Sequence, residues 1–243
     1  MRIGIVQPIA VAVGGNEKVL SSFLQLFKND DVTLFTFSKP EKNYPGITVK
    51  TKIPFKIPFF GLYQRLLTHS HDYSECDVII STSGRYIKTG KPVIVYDQNN
   101  ISAERNDELP QKYKKGFWKL YYLPYKLIVG KINQSTNMTY VAASEFCAIN
   151  LGKIIGKKPT VIYPAVGIDE CYTLPKKPQV CVVGRISPEK NLENTISILN
   201  KIEYPCFIFG STTPATRPYL EKLKKIANDN ITFMTDRPRS ELL

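Results

Sequence analysis

Two cations stand close together in the run Val182-Val183-Gly184-Arg185-Ile186-Ser187-Pro188-Glu189-Lys190-Asn191, where a strand-like sequence gives way to a helix-like one. An Arg at a strand's carboxyl end and a Lys near the next helix start can converge in the crevice where open α/β sheets bind ligands. There they would clamp a diphosphate, the guanidinium as a two-pronged donor and the ammonium as a point charge. Ser187 suits a helix cap and Pro188 a first helical position. The same residues also fit a solvated charge pair beside a helix cap, and spacing does not choose between the two.

A second chemistry-bearing segment follows the first apolar run. Val13-Gly14-Gly15-Asn16-Glu17 places two glycines where a loop turns into a helix. Backbone can approach a ligand closely at Gly14 and Gly15, and the helix N-terminus attracts phosphate or a polar sugar, with Asn16 expected as N-cap. An ordinary turn explains a Gly-Gly pair equally well. The sequence holds no G-x-G-x-x-G, so a nicotinamide-dependent oxidoreductase is disfavoured.

These segments need a scaffold that ends strands at one edge. Short apolar runs at Arg2 to Gln7, Val32 to Phe37, Asp77 to Thr82, Val93 to Tyr96 and Thr139 to Ala143 alternate with helix-length stretches at Glu17 to Phe27, Phe59 to Thr68, Tyr113 to Asn133 (interrupted near Pro124) and Glu145 to Ile155. Continuous apolar strands of this kind imply a parallel sheet buried on both faces, a doubly wound α/β domain over residues 1–165. A Pro- and Lys-containing connector covers residues 166–178. The alternation then restarts over residues 179–243: strand Gln179 to Arg185, helix Glu189 to Lys201, strand Cys206 to Ser211, helix Arg217 to Asn228, strand Ile231 to Thr235. A further helix opens at Arg239, which reads as a second domain left incomplete.

Composition narrows the partners. The chain has 243 residues, 43% of them hydrophobic, with 33 Lys and Arg against 21 Asp and Glu and a net charge of +12. Negatively charged ligands are favoured: nucleic acid, anionic headgroups or phosphorylated small molecules. Five cysteines form no C-x-x-C pair, which predicts reduced thiols and a cytoplasmic setting rather than disulfides or zinc. The N-terminus has no apolar leader, and no window reaches the roughly 18 to 20 apolar residues needed to span a bilayer.

With these residues in hand, VVGRISPEKN resembles the second-domain signature of retaining glycosyltransferases of the large family 4 type. Gly14-Gly15-Asn16-Glu17 resembles that family's first-domain GGxE loop. Ser144-Glu145-Phe146 with Val161 to Val166 resembles its approach to the linker, and Phe209-Gly210-Ser211 its later glycine-bearing strand end. The resemblance covers nearly the whole chain. Within the family it is most similar to mannosyltransferases that extend dolichol-linked oligosaccharides on the cytosolic membrane face.

The resemblance implies a GT-B fold of two Rossmann-like domains, the second binding a nucleotide-diphosphate sugar and the first a carbohydrate or polyprenyl-linked acceptor. By carry-over, Arg185 and Lys190 serve the diphosphate, Gly14 and Gly15 face the sugar or diphosphate, Asn16 and Gly184 also take part in donor binding, and Gly210 and Asp236 lie near the nucleoside. It implies retention of anomeric configuration, no metal and no further cofactor, with mannose as the first sugar to expect. Two departures stand out. The family's later pair of glutamates has no counterpart, and Gln98 or a neighbour replaces a His that relatives carry after the strand Val93 to Asn99. The alternative reading is therefore a truncated, non-catalytic remnant that binds acceptor or membrane through its first domain.

Residues 112–126 mix lysines with aromatics, and residues 52–65 repeat that character. The mixture suits an anionic membrane interface, giving an expected peripheral position on the cytosolic face. It equally suits rings packed inward with lysines solvating the surface. No nucleic-acid-binding module accompanies it, so nucleic acid is not an expected partner. His69 and His71 are expected to be surface packing residues.

Overall fold

A computed structural model describes residues 1–7, 15–40, 43–53, 63, 66, 71–82, 87–98, 116–131, 137–165 and 175–237. The chain divides into two compact units, Met1–Ala165 and Val166–Leu243.

The first unit is built on seven strands: β1 Arg2–Val6, β2 Asp31–Ser38, β3 Thr48–Ile53, β4 Val78–Ser81, β5 Val93–Asp97, β6 Met138–Ala142 and β7 Thr160–Val161. They pair in the order β3-β2-β1-β4-β5-β6-β7, and every pairing is parallel. Because side chains alternate along a strand, neighbouring residues enter opposite faces. Ile3, Ile5, Leu34 and Ile80 join one core cluster, while Val6, Phe35, Ile79 and Val95 join another. Helix α1, Gly15–Leu26, covers the first cluster through Leu20 and Phe23. Helix α3, Glu145–Ile155, covers the second through Cys147, Ala148 and Leu151. Right-handed crossovers running in opposite directions from the centre place helices on opposite faces, as the sequence pattern predicts.

Local chemistry sets the ends of α3. Ser144 is extended and its hydroxyl accepts from the Cys147 N–H, while Gly156 closes the helix at φ 75°. A Ser cap contributes about 1 kcal/mol. Helix α2, Gly116–Lys131, runs unbroken through Pro124, so the interruption expected there does not occur. Of the expected helix at Phe59 to Thr68, Tyr63 and Leu66 are described and both are helical, and the expected helix from Arg239 lies outside the described residues.

The second unit carries β8 Val180–Val183, β9 Cys206–Gly210 and β10 Ile231–Thr235, parallel in the order β10-β9-β8. Helices α4, Leu192–Leu199, and α5, Arg217–Ile226, both bury their apolar stripes in one cluster with Cys206, Ile208 and Ile231. Two crossovers running in the same direction put both helices on one face. The opposite face bears Cys181 and Val183, both exposed, beside the paired rings of Phe207 and Phe209.

His71 departs from expectation. It is 8% exposed, packed on Phe35 and Tyr73, with Nε2 3.0 Å from the Thr36 carbonyl. That carbonyl only accepts, so Nε2 carries a proton and donates it. Burial, opposed by the Thr36 bond and reinforced by Lys52 and Lys50, holds its pKa below the ordinary 6.5. The unfolded chain therefore takes up this proton first, and stability falls as pH drops below the ordinary imidazole value. Urea titrations of the wild type and His71→Gln at neutral pH and near about pH 5 are expected to show a smaller acid loss in the variant. Equal losses would assign the acid sensitivity elsewhere.

Candidate functional site

Open parallel sheets bind ligands beyond the carboxyl ends of their strands. In the second unit that edge is formed by the exits of β8, β9 and β10. Ladder bonding continues past β8: the Gly184 N–H donates to the Phe209 carbonyl at 3.0 Å and the Ile186 N–H to the Ser211 carbonyl at 3.1 Å. Ile186 is fully buried and anchors the loop. Arg185, between these two bonds, is exposed, so its guanidinium stands outward from a fixed backbone.

The turn that follows is tighter than the sequence predicts. Pro188–Lys190 form a single 3-10 turn ended by Asn191 in the left-handed region at φ 51°. Helix α4 starts only at Leu192, so Ser187 and Pro188 introduce the short turn and not the helix. Arg185 Nη2 lies 3.3 Å from Glu189 Oε1, with both side chains more than half exposed. Such a pair contributes under about 1 kcal/mol and is easily exchanged for another anion. The nearby Ser187 hydroxyl, although it makes no hydrogen bond of normal geometry, then the local backbone, Arg185 and Lys190 hold the Glu189 carboxyl below its usual range against the cost of its partial burial. Lys190 is exposed and forms no ion pair among the described residues.

Gly210 and Gly184 occupy adjoining strand ends with opposite tolerances. A Cβ on Gly210 would lie 2.2 Å from the Gly184 carbonyl oxygen, whereas one on Gly184 meets nothing within 4 Å. Gly210 is thus required by close approach of β8 and β9, and Gly184 faces open space. Asp236, at φ 56°, spends both carboxylate oxygens on Thr212, accepting from its N–H at 2.9 Å and its hydroxyl at 2.8 Å. The Thr212 N–H, then its hydroxyl, keep this carboxyl low. Asp236 therefore fastens the β9 and β10 exits together.

In the first unit, strand order reverses between β1 and β4, the topological switch point. Polar side chains are buried at the strand ends beside it, Gln7 after β1 and Ser81 and Thr82 at the end of β4, and one strand further at Asp97 of β5, none more than 2% exposed. The Thr82 hydroxyl donates toward Gln7 Oε1 at 3.1 Å or the Val6 carbonyl at 3.3 Å. The Gln98 amide nitrogen is buried without a hydrogen-bond partner. Sequence reasoning did not single out Gln7, Thr82 or Asp97. Their signal is a polar residue ending an otherwise apolar strand.

Gly15 and Asn16 are exposed in the first turn of α1. Because the helix already includes Gly15, Asn16 lies inside that turn and is not its N-cap. Gly14 lies outside the described residues. Among the described residues, no cluster of three His, Cys, Asp or Glu is placed to hold a metal.

Strand order, all-parallel pairing and the repeat of the motif in a second unit decide the architecture. The chain has the GT-B fold. Anabaena HepE in complex with UDP-glucose matches with a TM-score of 0.61 at 14% identity, covering 98% of this chain and 70% of that one. WaaG, a glycosyltransferase involved in lipopolysaccharide biosynthesis, matches at 0.57 and 12% identity, covering 98% and 71%. UDP-N-acetylglucosamine 2-epimerase from Rickettsia bellii matches at 0.50 and 13%, covering 96% and 68%. No protein-family model matches the sequence, and no curated protein sequence matches it. Identities this low establish the fold and leave the reaction to the residues of the site.

Proposed function

We propose that this protein transfers a sugar from a nucleotide-diphosphate sugar to a hydroxyl of a carbohydrate or lipid-linked carbohydrate acceptor, with retention of configuration. The observation that carries this reading is the pair of exposed cations, Arg185 and Lys190, on a backbone pinned at the carboxyl end of β8 in a GT-B fold. As the bond from the anomeric carbon to the diphosphate oxygen breaks, negative charge grows on the leaving group. Cations fixed there stabilise the transition state more than the ground state. The acceptor hydroxyl would use the buried polar end of the first unit's sheet, where Gln7 and Thr82 flank the switch point and Asp97 ends the next strand, β5.

The test is donor binding followed by product analysis. Thermal shift with UDP-linked and guanosine-diphosphate-linked sugars, mannose among the latter, is expected to raise the melting temperature for one donor class. Turnover is then expected to link the sugar to a second molecule. Conversion of the donor to its epimer without an acceptor would favour the chemistry named for the Rickettsia relative. Stabilisation without any turnover would favour a non-catalytic binding protein. No shift with either donor class would overturn the proposal.

The reading also assigns the diphosphate charge to the chain's own cations. Chelation of divalent ions by EDTA is therefore expected to leave the initial rate unchanged. A rate restored only by added Mg²⁺ or Mn²⁺ would contradict that assignment.

A further inference from the structure

Helix α2, Gly116–Lys131, has two apolar faces, and the fold uses one. Trp118, Tyr121, Tyr122 and Tyr125 recur at the three- and four-residue spacing that lines one side of a helix. Tyr122 is 7% and Tyr125 3% exposed, and Tyr63 packs on Tyr121 and Tyr125. Most of the rings therefore turn inward, in keeping with the inward-packed one of the two readings of residues 112–126.

The other face consists of Phe117, Leu120, Leu123, Leu127 and Ile128, from 43% to 71% exposed, with Pro124 also exposed among them. On a helix of 3.6 residues per turn, these fall opposite the tyrosine stripe. Lys119 and Lys126, both exposed, are two turns apart along one border of this face. No Asp or Glu occurs between Glu108 and Glu145, a stretch holding Lys112, Lys114, Lys115, Lys119, Lys126 and Lys131. No described helix is long and apolar enough to cross a membrane.

We propose that α2 lies in the surface of an anionic phospholipid bilayer, with the Phe117, Leu120, Leu123, Leu127 and Ile128 face in the acyl boundary and Lys119 and Lys126 on lipid phosphates. A continuous apolar stripe supplies insertion, and lysines in a stretch of sequence free of Asp and Glu supply attraction to negative headgroups. A protein partner would need acidic residues along the same border. The anionic bilayer supplies that complementarity over the whole length of the helix. The inference is independent of the reaction proposed above, because it concerns a surface that no donor need touch.

Vesicle flotation tests it with the full chain and no nucleotide. Binding is expected to vesicles of phosphatidylcholine with phosphatidylglycerol, and to be weak with phosphatidylcholine alone. The double variant Leu120→Glu with Leu127→Glu is expected to lose at least about tenfold in partition with an unchanged melting temperature, since both side chains face solvent. Lys119→Gln and Lys126→Gln are each expected to cost about fivefold at low salt and less at high salt. Three results would overturn the proposal: no binding to anionic vesicles at low salt, binding unaffected by the leucine changes, or a self-associated protein that those changes make monomeric without any lipid effect.

Discussion

Arg185→Ala is expected to lower the rate of sugar transfer by about 10²- to 10³-fold, the scale for removing one preorganised group that meets developing charge. The side chain is exposed and its pairing with Glu189 is a surface contact, so folding stability should move by less than about 0.5 kcal/mol. Lys190→Ala is expected to act similarly. The double variant should fall well short of the product of the two losses, because both cations address one leaving group. Arg185→Lys keeps the charge and loses the planar fork, which predicts partial retention. Initial rates beside thermal melts separate these cases. An unaltered rate in Arg185→Ala would remove the diphosphate role and return the residue to a solvated pair with Glu189.

Gly210→Ala is expected to have the largest effect on stability. Its Cβ would sit 2.2 Å from the Gly184 carbonyl oxygen and 2.8 Å from Ile186 Cγ1. The first is backbone, held by ladder bonds on both sides, and cannot rotate away. Overpacking of this kind costs about 1 to 3 kcal/mol or more, seen as a lower urea midpoint, and relief would push β8 and Arg185 out of place. Gly184→Ala is the matched control. It meets open space, so stability should hold, while a diphosphate approaching that backbone would be obstructed and donor affinity should fall. Equal stability of the two variants would show that the β8 and β9 exits can part without penalty.

The elements legible in the sequence are those whose burial is one-sided in information: continuous apolar strands and helices with strong end signals. Glu145 to Ile155 was readable because Ser144 and the glycine at 156 mark its limits, and Ile231 to Thr235 because it is a compact run. Strand β3 went unread. Thr48–Ile53 reads Thr-Val-Lys-Thr-Lys-Ile, with polar residues at 48 and 50–52, and sits at the sheet edge, paired only with β2, where one side of the ladder needs no apolar partner. The loop before α4 was misread because Pro188 announces a helix start equally for a 3-10 turn and an α-helix. What separates them is the left-handed Asn191, a conformation that Asn adopts more readily than most residues but does not advertise.

In the site, Arg185 and Lys190 were visible as charge at a strand exit. The first unit's buried polar ends were not, because a terminal Gln, Thr or Asp looks the same in sequence whether it faces solvent or core. His71 illustrates the same limit: its loop-like neighbours suggest a surface, and only the proximity of Phe35 and Tyr73 makes a pocket for it.

The uncovered face of the β8 to β10 sheet has a practical consequence through Cys181. Cys76, Cys147 and Cys206 are buried, and Cys181 is the exposed thiol among the described cysteines. Its alkylation rate is thus a clock for that face alone. Fast modification by a maleimide means bare β-sheet in solution, and protection means that something has come to rest against Val183 and the two phenylalanines.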